Sequence, residues 1–423
     1  MLWSSALRTL ALAFVASAAP APVAAPNGLI PDILSTVMGS SEELSLILEK
    51  ELKEEFEEDE FDAQFALFQK NPELFKLHKN LVNIESISGN ELSVSNYLQD
   101  YLNQLGLGFE LAIDETGKNI YAYGSENGST KVLLTSHIDT VPPYIDYFVQ
   151  ETEDGDVEIH GRGSCDAKGS VAAQIIAAKE LLEEGVVTTD DLSLLFVFAE
   201  EIGGAGMRSA NSYLVEEGIN WDAVIFGEPT ENKLATGHKG LYLAKLEVFG
   251  VASHSGYPEM GIDADKIMIE IMYELEAYDW PTSELLNLTT LNIGLFSGGT
   301  AGNVISPYSQ CTILMRTAVD ADEIIAIVQS IVSKYESNAK DLKLDVQVTD
   351  DPVSLDYEVE GFDTIIASYS TDIPKLDHRG FKRYLYGPGS ILVAHGDHEY
   401  VTASSMLQAV EDYKKLVLYT LGK

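Results

Sequence analysis

Hydrophobic and polar residues alternate along this chain in two rhythms, and the rhythm changes part-way along. Val94, Tyr97, Leu98, Tyr101, Leu102 and Leu105 recur at helical spacing, and Gly106 is placed to stop that helix. Short β-like runs follow at 119–123 and 131–136. A long helix is predicted over 167–184, closed by Gly185. Residues 192–199 are continuously apolar, as in a strand covered on both faces, and 223–226 repeat the pattern on a smaller scale. Strands alternating with helices predict an α/β domain built on a mostly parallel central sheet.

The character then changes. Residues 241–249 alternate in the manner of a half-exposed strand, and a helical stretch covers 263–278. Strand patterns follow at 289–296 and 310–317, then a helix at 321–335 and a strand at 343–348. That order predicts an α+β unit inserted at 237–352 between two parts of the first domain, 71–236 and 353–423. Within the second part, 361–369 and 404–421 are expected to be helices. No internal repeat is visible.

The N-terminus has the pattern of a secretory signal over 1–18. Arg8 supplies a positive start, 10–19 are apolar, and Ala16-Ser17-Ala18 suits signal peptidase. That run is too short to span a bilayer comfortably. The expected destination is extracellular, with the vacuole as the alternative. Residues 20–30 are rich in Ala and Pro, and 41–61 are dense in Glu. The 19–70 stretch is an N-terminal extension or a removable pro-segment, and whether its acidic part is helical stays open. Asn127-Gly-Ser and Asn287-Leu-Thr are acceptor sequons for glycosylation if the chain is secreted.

A length of 423 residues suggests two or three domains. The formal charge of −40 argues against nucleic acid and anionic membrane surfaces as partners. Two cysteines, Cys165 and Cys311, make no disulfide framework and are expected to be free and buried.

The candidate chemistry lies just past the strand-like runs. His137 and Asp139 follow 132–136, Glu200 and Glu201 follow 192–199, and Glu228 follows 223–226. Sites in open α/β sheets form at the carboxyl ends of strands, so these side chains are expected on one rim. A histidine among carboxylates suits a borderline cation such as zinc, and a carboxylate can bridge two ions. Two metals about 3.5–4 Å apart can activate a water and polarise a carbonyl together. The consecutive Glu200 and Glu201 then divide the work, one binding metal and the other taking a proton from the attacking water.

These residues resemble the di-zinc metallopeptidase family of glutamate carboxypeptidase, aminoacylase, acetylornithine deacetylase and succinyl-diaminopimelate desuccinylase. Within it, the chain is most similar to secreted or vacuolar fungal-type carboxypeptidases. The resemblance covers roughly residues 73–423. It is carried by Ser136-His137-Ile138-Asp139-Thr140-Val141-Pro142, Gly161-Arg162-Gly163-Ser164-Cys165-Asp166-Ala167-Lys168-Gly169, Glu200-Glu201, Gly227-Glu228-Pro229-Thr230, residues 298–305, and Ala394-His395 with Glu399. It implies a zinc-exopeptidase-like catalytic domain with an inserted lid or dimerisation domain, and a possible homodimer through that lid. It implies two Zn2+ ions, with Co2+ or Mn2+ as substitutes. Asp166 would bridge them, His137 and Glu228 would complete one site, and Glu201 and His395 the other. Glu200 would be the general base, and Asp139 would hold the His137 ring through its second nitrogen. A cis peptide is implied after Asp166. His254 would reach the reacting carbonyl, often from a partner subunit, and Asn303 and Arg316 would hold the substrate's free carboxylate beside Gly389. His398 also lies near the last motif, but His395 fits it better because Glu399 falls where the family's following acid falls. His78, His160, His238 and His378 match no ligand position, and Cys165 is assigned no catalytic role.

The expected function is therefore a metal-dependent carboxypeptidase acting on small peptides next to a free C-terminal carboxylate. An N-acyl-amino-acid deacylase would use the same residues on N-acyl amino acids. A non-catalytic metal-binding protein is a third reading, against which the intact Glu200 stands.

Overall fold

A computed structural model describes residues 65–423, so the expected signal and most of the acidic extension lie outside the described residues. Packing begins ahead of Pro72: Phe68 is buried and stacks on Phe75 with ring centroids 4.2 Å apart. Pro72 then opens α1 (Pro72–Asn83), where the Asn71 side chain accepts from the amide of Leu74. Helix α2 (Leu92–Leu105) ends where its spacing predicts, with Gly106 in the left-handed conformation.

Strands β1 (Glu110–Ile113), β2 (Ile120–Tyr123) and β3 (Val132–His137) lead to the long helix α3 (Lys168–Glu183). After it come β4 (Leu192–Val197), α4 (Ala205–Glu216) and β5 (Ala223–Gly227). The inserted region holds β6 (Gly240–Phe249), α5 (Ala264–Ala277), β7 (Thr290–Gly298), β8 (Tyr308–Thr317), α6 (Ala321–Ser333) and β9 (Asp341–Asp350). Strand β10 (Lys382–Tyr386) and helix α7 (Ala403–Leu421) follow.

The central sheet runs β1-β2-β4-β3-β5-β10. Strands β4, β3, β5 and β10 are parallel, and the β1–β2 pair is added antiparallel at one edge. Every residue of β3, β4 and β5 is buried, which is why these segments are rich in apolar residues. Helices α1, α3 and α7 cover one face, while α4 with Trp221 and Phe381 closes the other. From β3 the chain crosses first to β4 on one side and then to β5 on the other. That reversal opens a crevice at the carboxyl ends of the strands. The inserted region forms an antiparallel sheet, β7-β8-β6-β9. Alternate residues of β6 and β8 are buried, and they share one hydrophobic cluster with α5 and α6.

One expected element is corrected. Residues 361–369 form no helix; Thr364–Ala367 is a strand lying parallel to Leu234–His238. Thr364, Ile365 and Ile366 favour the extended chain, and the neighbouring strand supplies the hydrogen bonds a helix would have to make for itself.

A second small sheet was not anticipated and matters for the site. It pairs Val157–His160 with Phe148–Glu151 and with Tyr400–Thr402. This brings Glu399 against the loop that leaves Val157–His160. The Glu399 carboxylate accepts from the amides of Gly163 at 3.0 Å, Cys165 at 3.2 Å and Asp166 at 3.1 Å. It also pairs with Arg162 Nη1 at 2.6 Å, with both side chains buried. On the other side of the loop, His78 Nε2 lies 2.8 Å from the Ser164 carbonyl. The loop carrying Asp166 is thus clamped from two sides. No helix among the described residues is long and apolar enough to cross a membrane.

Removing one partner of such a buried pair leaves an uncompensated charge, at a cost of about 3–5 kcal/mol. Glu399→Gln should therefore lower the unfolding free energy by several kcal/mol in denaturant titration. The double variant Arg162→Met/Glu399→Leu should lose less than the two single variants combined.

Candidate metal centre

The carboxyl ends of three adjacent parallel strands deliver the candidate residues. His137 is the last residue of β3, and Glu228 follows β5 directly. After β4, Ala199 takes a left-handed φ of 55°, turning the chain so that Glu200 and Glu201 leave the sheet together. Asp139 fixes that turn: its Oδ1 accepts from the Glu200 amide at 3.0 Å and its Oδ2 from the Glu201 amide at 3.2 Å. The Ser88 hydroxyl donates to the same Oδ2 at 2.7 Å.

Asp166 stands between two clusters. Its Oδ1 lies 3.0 Å from His137 Nε2, and its Oδ2 lies 3.2 Å from His395 Nε2. Glu228 Oε1 is 3.8 Å from His137 Nε2, and Glu201 Oε2 is 3.1 Å from His395 Nε2. One carboxylate therefore presents a different oxygen to each of two His–Glu pairs. Donor atoms of His137, Asp166 and Glu201 all lie within 4.8 Å of one another. A nitrogen-and-oxygen donor set this close fits borderline divalent cations. The peptide bond after Asp166 is cis.

The charges respond to this crowding. Burial alone would lower the His137 pKa, but Glu228, Asp139 and Asp166 together hold it well above the usual range. Hydrogen bonds to Asp166 and Glu201 raise His395 to about 10. Burial opposes ionisation of Asp166, yet its bonds to the two imidazoles keep its pKa low. Burial, with Asp166 nearby, pushes Glu201 up to about 7, and burial raises Glu228.

Glu200 is raised furthest in kind: burial acts first, and the charges of Asp372 and Glu228 add to it. A buried, crowded carboxylate is a strong proton acceptor. Asp139 faces the second nitrogen of the His137 ring. Its backbone carbonyl lies 3.0 Å from Nδ1 and its carboxylate oxygen 3.4 Å. The same carboxylate also accepts from the Glu200–Glu201 turn.

The expected substrate residues separate into two groups. Arg316, at the end of β8, donates from Nη1 to Ser370 Oγ at 3.1 Å and feels the charge of Glu200. Gly389, with φ of 78°, packs against Cys165 beside Asp166; a Cβ there would sit 2.5 Å from the Cys165 sulfur. His254 and Asn303 do not join them. Both are exposed on the inserted region, where Ser255 N donates to the Asn303 carbonyl at 3.1 Å and His254 bridges to Val304. Among the described residues neither bonds to the cluster. Cys165 and Cys311 are free and buried.

The sequence reading missed Asp372. It is buried beside Glu200, and burial pushes its carboxyl up to about 7. It also missed Tyr369, half-buried with its hydroxyl donating to the Pro229 carbonyl at 3.2 Å. Both follow the strand Thr364–Ala367 closely. Recognising that strand would have placed them, like the other site residues, just past a strand end.

The sequence profile of peptidase family M20/M25/M40 matches residues 133–419. A "Peptidase M20 domain-containing protein" of Schizosaccharomyces pombe is 44% identical over 360 residues, covering 84% of this chain and 87% of that protein. A "Probable carboxypeptidase" of Ajellomyces capsulatus is 41% identical over 382 residues, covering 81% and 85%. Among solved structures, a tripeptidase from Staphylococcus aureus superposes with a TM-score of 0.69 at 20% identity, covering 83% of this chain and 99% of its own. An M20 family metallo-carboxypeptidase from Sulfolobus solfataricus gives 0.63 at 16%, covering 82% and 99%. At those identities the structures speak to the fold, whose mixed α/β plan and mostly parallel central sheet they share. The extent of the profile match and of the fungal identity settles the lineage: this chain belongs to peptidase family M20/M25/M40.

Proposed function

We propose that this M20 peptidase is a two-metal carboxypeptidase that hydrolyses the amide bond next to a free carboxylate. The observation that carries the reading is Arg316. It is a partly buried guanidinium brought from the inserted sheet to within electrostatic reach of Glu200. A fork of that kind pairs bidentately with a carboxylate, as a substrate with a free carboxylate near the cleaved bond requires. The names of the fungal relatives agree with this choice.

His137, Asp166 and Glu228 would hold one cation, and Asp166, Glu201 and His395 the other. Such a pair, when bound, supplies Lewis acidity to the carbonyl and to the attacking water. Zinc is the proposed ion. The chain's own groups do the rest. Glu200 accepts a proton from the attacking water as the new carbon–oxygen bond forms. It returns that proton to the nitrogen as the carbon–nitrogen bond breaks. Arg316 anchors the substrate carboxylate, and Gly389 leaves room beside Asp166.

His254 and Asn303 are assigned to the site of a second copy. Their exposure in one chain supports this, as does the inserted region's uncovered apolar surface. Among the described residues strand β7 pairs only with β8, so its other edge carries no strand there, and it bears exposed Leu295 and Phe296. Ile269 and Tyr273 of α5 are exposed as well. An open apolar edge of this kind calls for a partner. The secretory route, with both sequon asparagines exposed, belongs to the same proposal.

The test is release of C-terminal amino acids from a panel of dipeptides and N-acetyl amino acids, with and without a chelator. Chelator-sensitive cleavage that favours peptides is the expected result; preference for N-acetyl amino acids would make the enzyme a deacylase. Glu200→Ala should keep its metal and lose at least about a hundredfold in kcat, the span of general-base contributions. Full activity in that variant would end the mechanism. Mixed with His254→Ala protein, it should regain activity through hybrid dimers. No recovery despite demonstrated subunit exchange would place His254 in its own chain's site.

A further inference from the structure

Behind Glu200 lies a cavity of about 10 Å³, walled by Thr135 and His137 of β3, by Glu200 and Glu228, and by Thr371 and Asp372. That is about the room one water molecule's centre requires, and a buried water needs two to four polar partners. Two oxygens on these walls have no hydrogen-bond partner in the protein: Thr135 Oγ1 and Asp372 Oδ2. Both side chains are deeply buried, Thr135 at 0% and Asp372 at 6% exposure. Buried polar atoms are almost always satisfied, and a single water between them would satisfy both. Ser136 also lines the cavity, but its hydroxyl donates to the Gly227 carbonyl at 2.9 Å, and Val197, Met207 and Phe226 offer no polar side chain.

Asp372 is also tied to the loop that carries Glu200. The Gly204 amide donates to the Ala199 carbonyl at 2.7 Å, closing the turn that holds Glu200 and Glu201. Gly204 has a φ of 73°, and a Cβ there would lie 2.3 Å from Asp372 Oδ1. The carboxyl therefore packs directly on the turn. Two residues earlier, Ser370 accepts from Arg316. The segment 370–372 thus touches both the proposed carboxylate anchor and the turn that carries the proposed base.

We propose that Asp372 is a positioning residue for Glu200, acting through one water molecule held in this cavity. The Thr135 hydroxyl donates to the water. The water donates one hydrogen to Asp372 Oδ2 and the other to the inner oxygen of the Glu200 carboxylate. The outer oxygen of Glu200 is then fixed toward the reacting water. No bond is made or broken in this arrangement, and it rests on the reading of Glu200 as the base.

The test uses the metal-loaded enzyme and the variants Thr135→Val, Asp372→Asn, their double, and Thr135→Ser. Thr135 touches neither substrate nor metal, so a purely structural role would leave kcat alone once folding and metal content are matched. Thr135→Val and Asp372→Asn should each lower kcat about tenfold with KM and bound metal unchanged, since small misplacements of catalytic groups are costly. Thr135→Ser should restore the rate. The double variant should be no slower than the slower single one, because both lose the same water. A crystal structure at high resolution should show that water within about 3 Å of both oxygens. An unchanged kcat in Thr135→Val, losses that multiply in the double variant, or a crystal structure without the water would each overturn the proposal. Glu200→Ala separates the two levels. If it is inactive while Thr135→Val is fully active, only the positioning role falls; if it is active, the base reading falls.

Discussion

Six acidic side chains, Asp139, Asp166, Glu200, Glu201, Glu228 and Asp372, gather around the buried His137 and the half-exposed His395. Unopposed, that much buried negative charge would force several of these groups to stay protonated. The upward shifts of Glu200, Glu201, Glu228 and Asp372, caused first by burial, record this pressure, as do the raised imidazoles. Two cations bound there would relieve it. The rest of the structure can be understood as what is needed to hold such a cluster together.

The holding is done by groups that never face the substrate. Asp139 spends its carboxylate on the amides of Glu200 and Glu201. Glu399 spends its own on three amides of the loop that ends in Asp166, and Arg162 neutralises it. Lys168, buried at the start of α3, donates to the carbonyls of Leu81 and Ile84 at 2.8 Å and ties that helix to the end of α1. Each carboxylate therefore has a defined direction before any ion arrives. Such preorganisation is what separates a metal site from a loose acidic patch.

Much of this was legible in the sequence. Buried parallel strands are rich in apolar residues, so β3, β4 and β5 could be located, and the polar residues just past them fell on one rim. The alternation along β6 and the helical spacing of α5 and α6 likewise marked the inserted sheet with one helix-covered face. What stayed hidden depends on pairing across long sequence distances. Thr364–Ala367 is four residues long and becomes a strand only because Leu234–His238 lies beside it, so the helix expected there was wrong and Asp372 went unnoticed. The sheet joining Val157–His160 to Tyr400–Thr402 spans more of the chain still, and without it Glu399 marks only the position of His395. The exposure of His254 and Asn303 is a property of the folded chain that no local pattern encodes.

The central claim is that Asp166, with one oxygen turned to each His–Glu pair, joins two cation sites. The most direct measurement is zinc stoichiometry by titration calorimetry and elemental analysis, on the wild type and on His395→Ala. The account predicts two ions per wild-type chain and one tightly held ion in the variant, because His137, Asp166 and Glu228 remain. A single ion per wild-type chain, or the loss of all bound zinc from a folded His395→Ala protein, would contradict it.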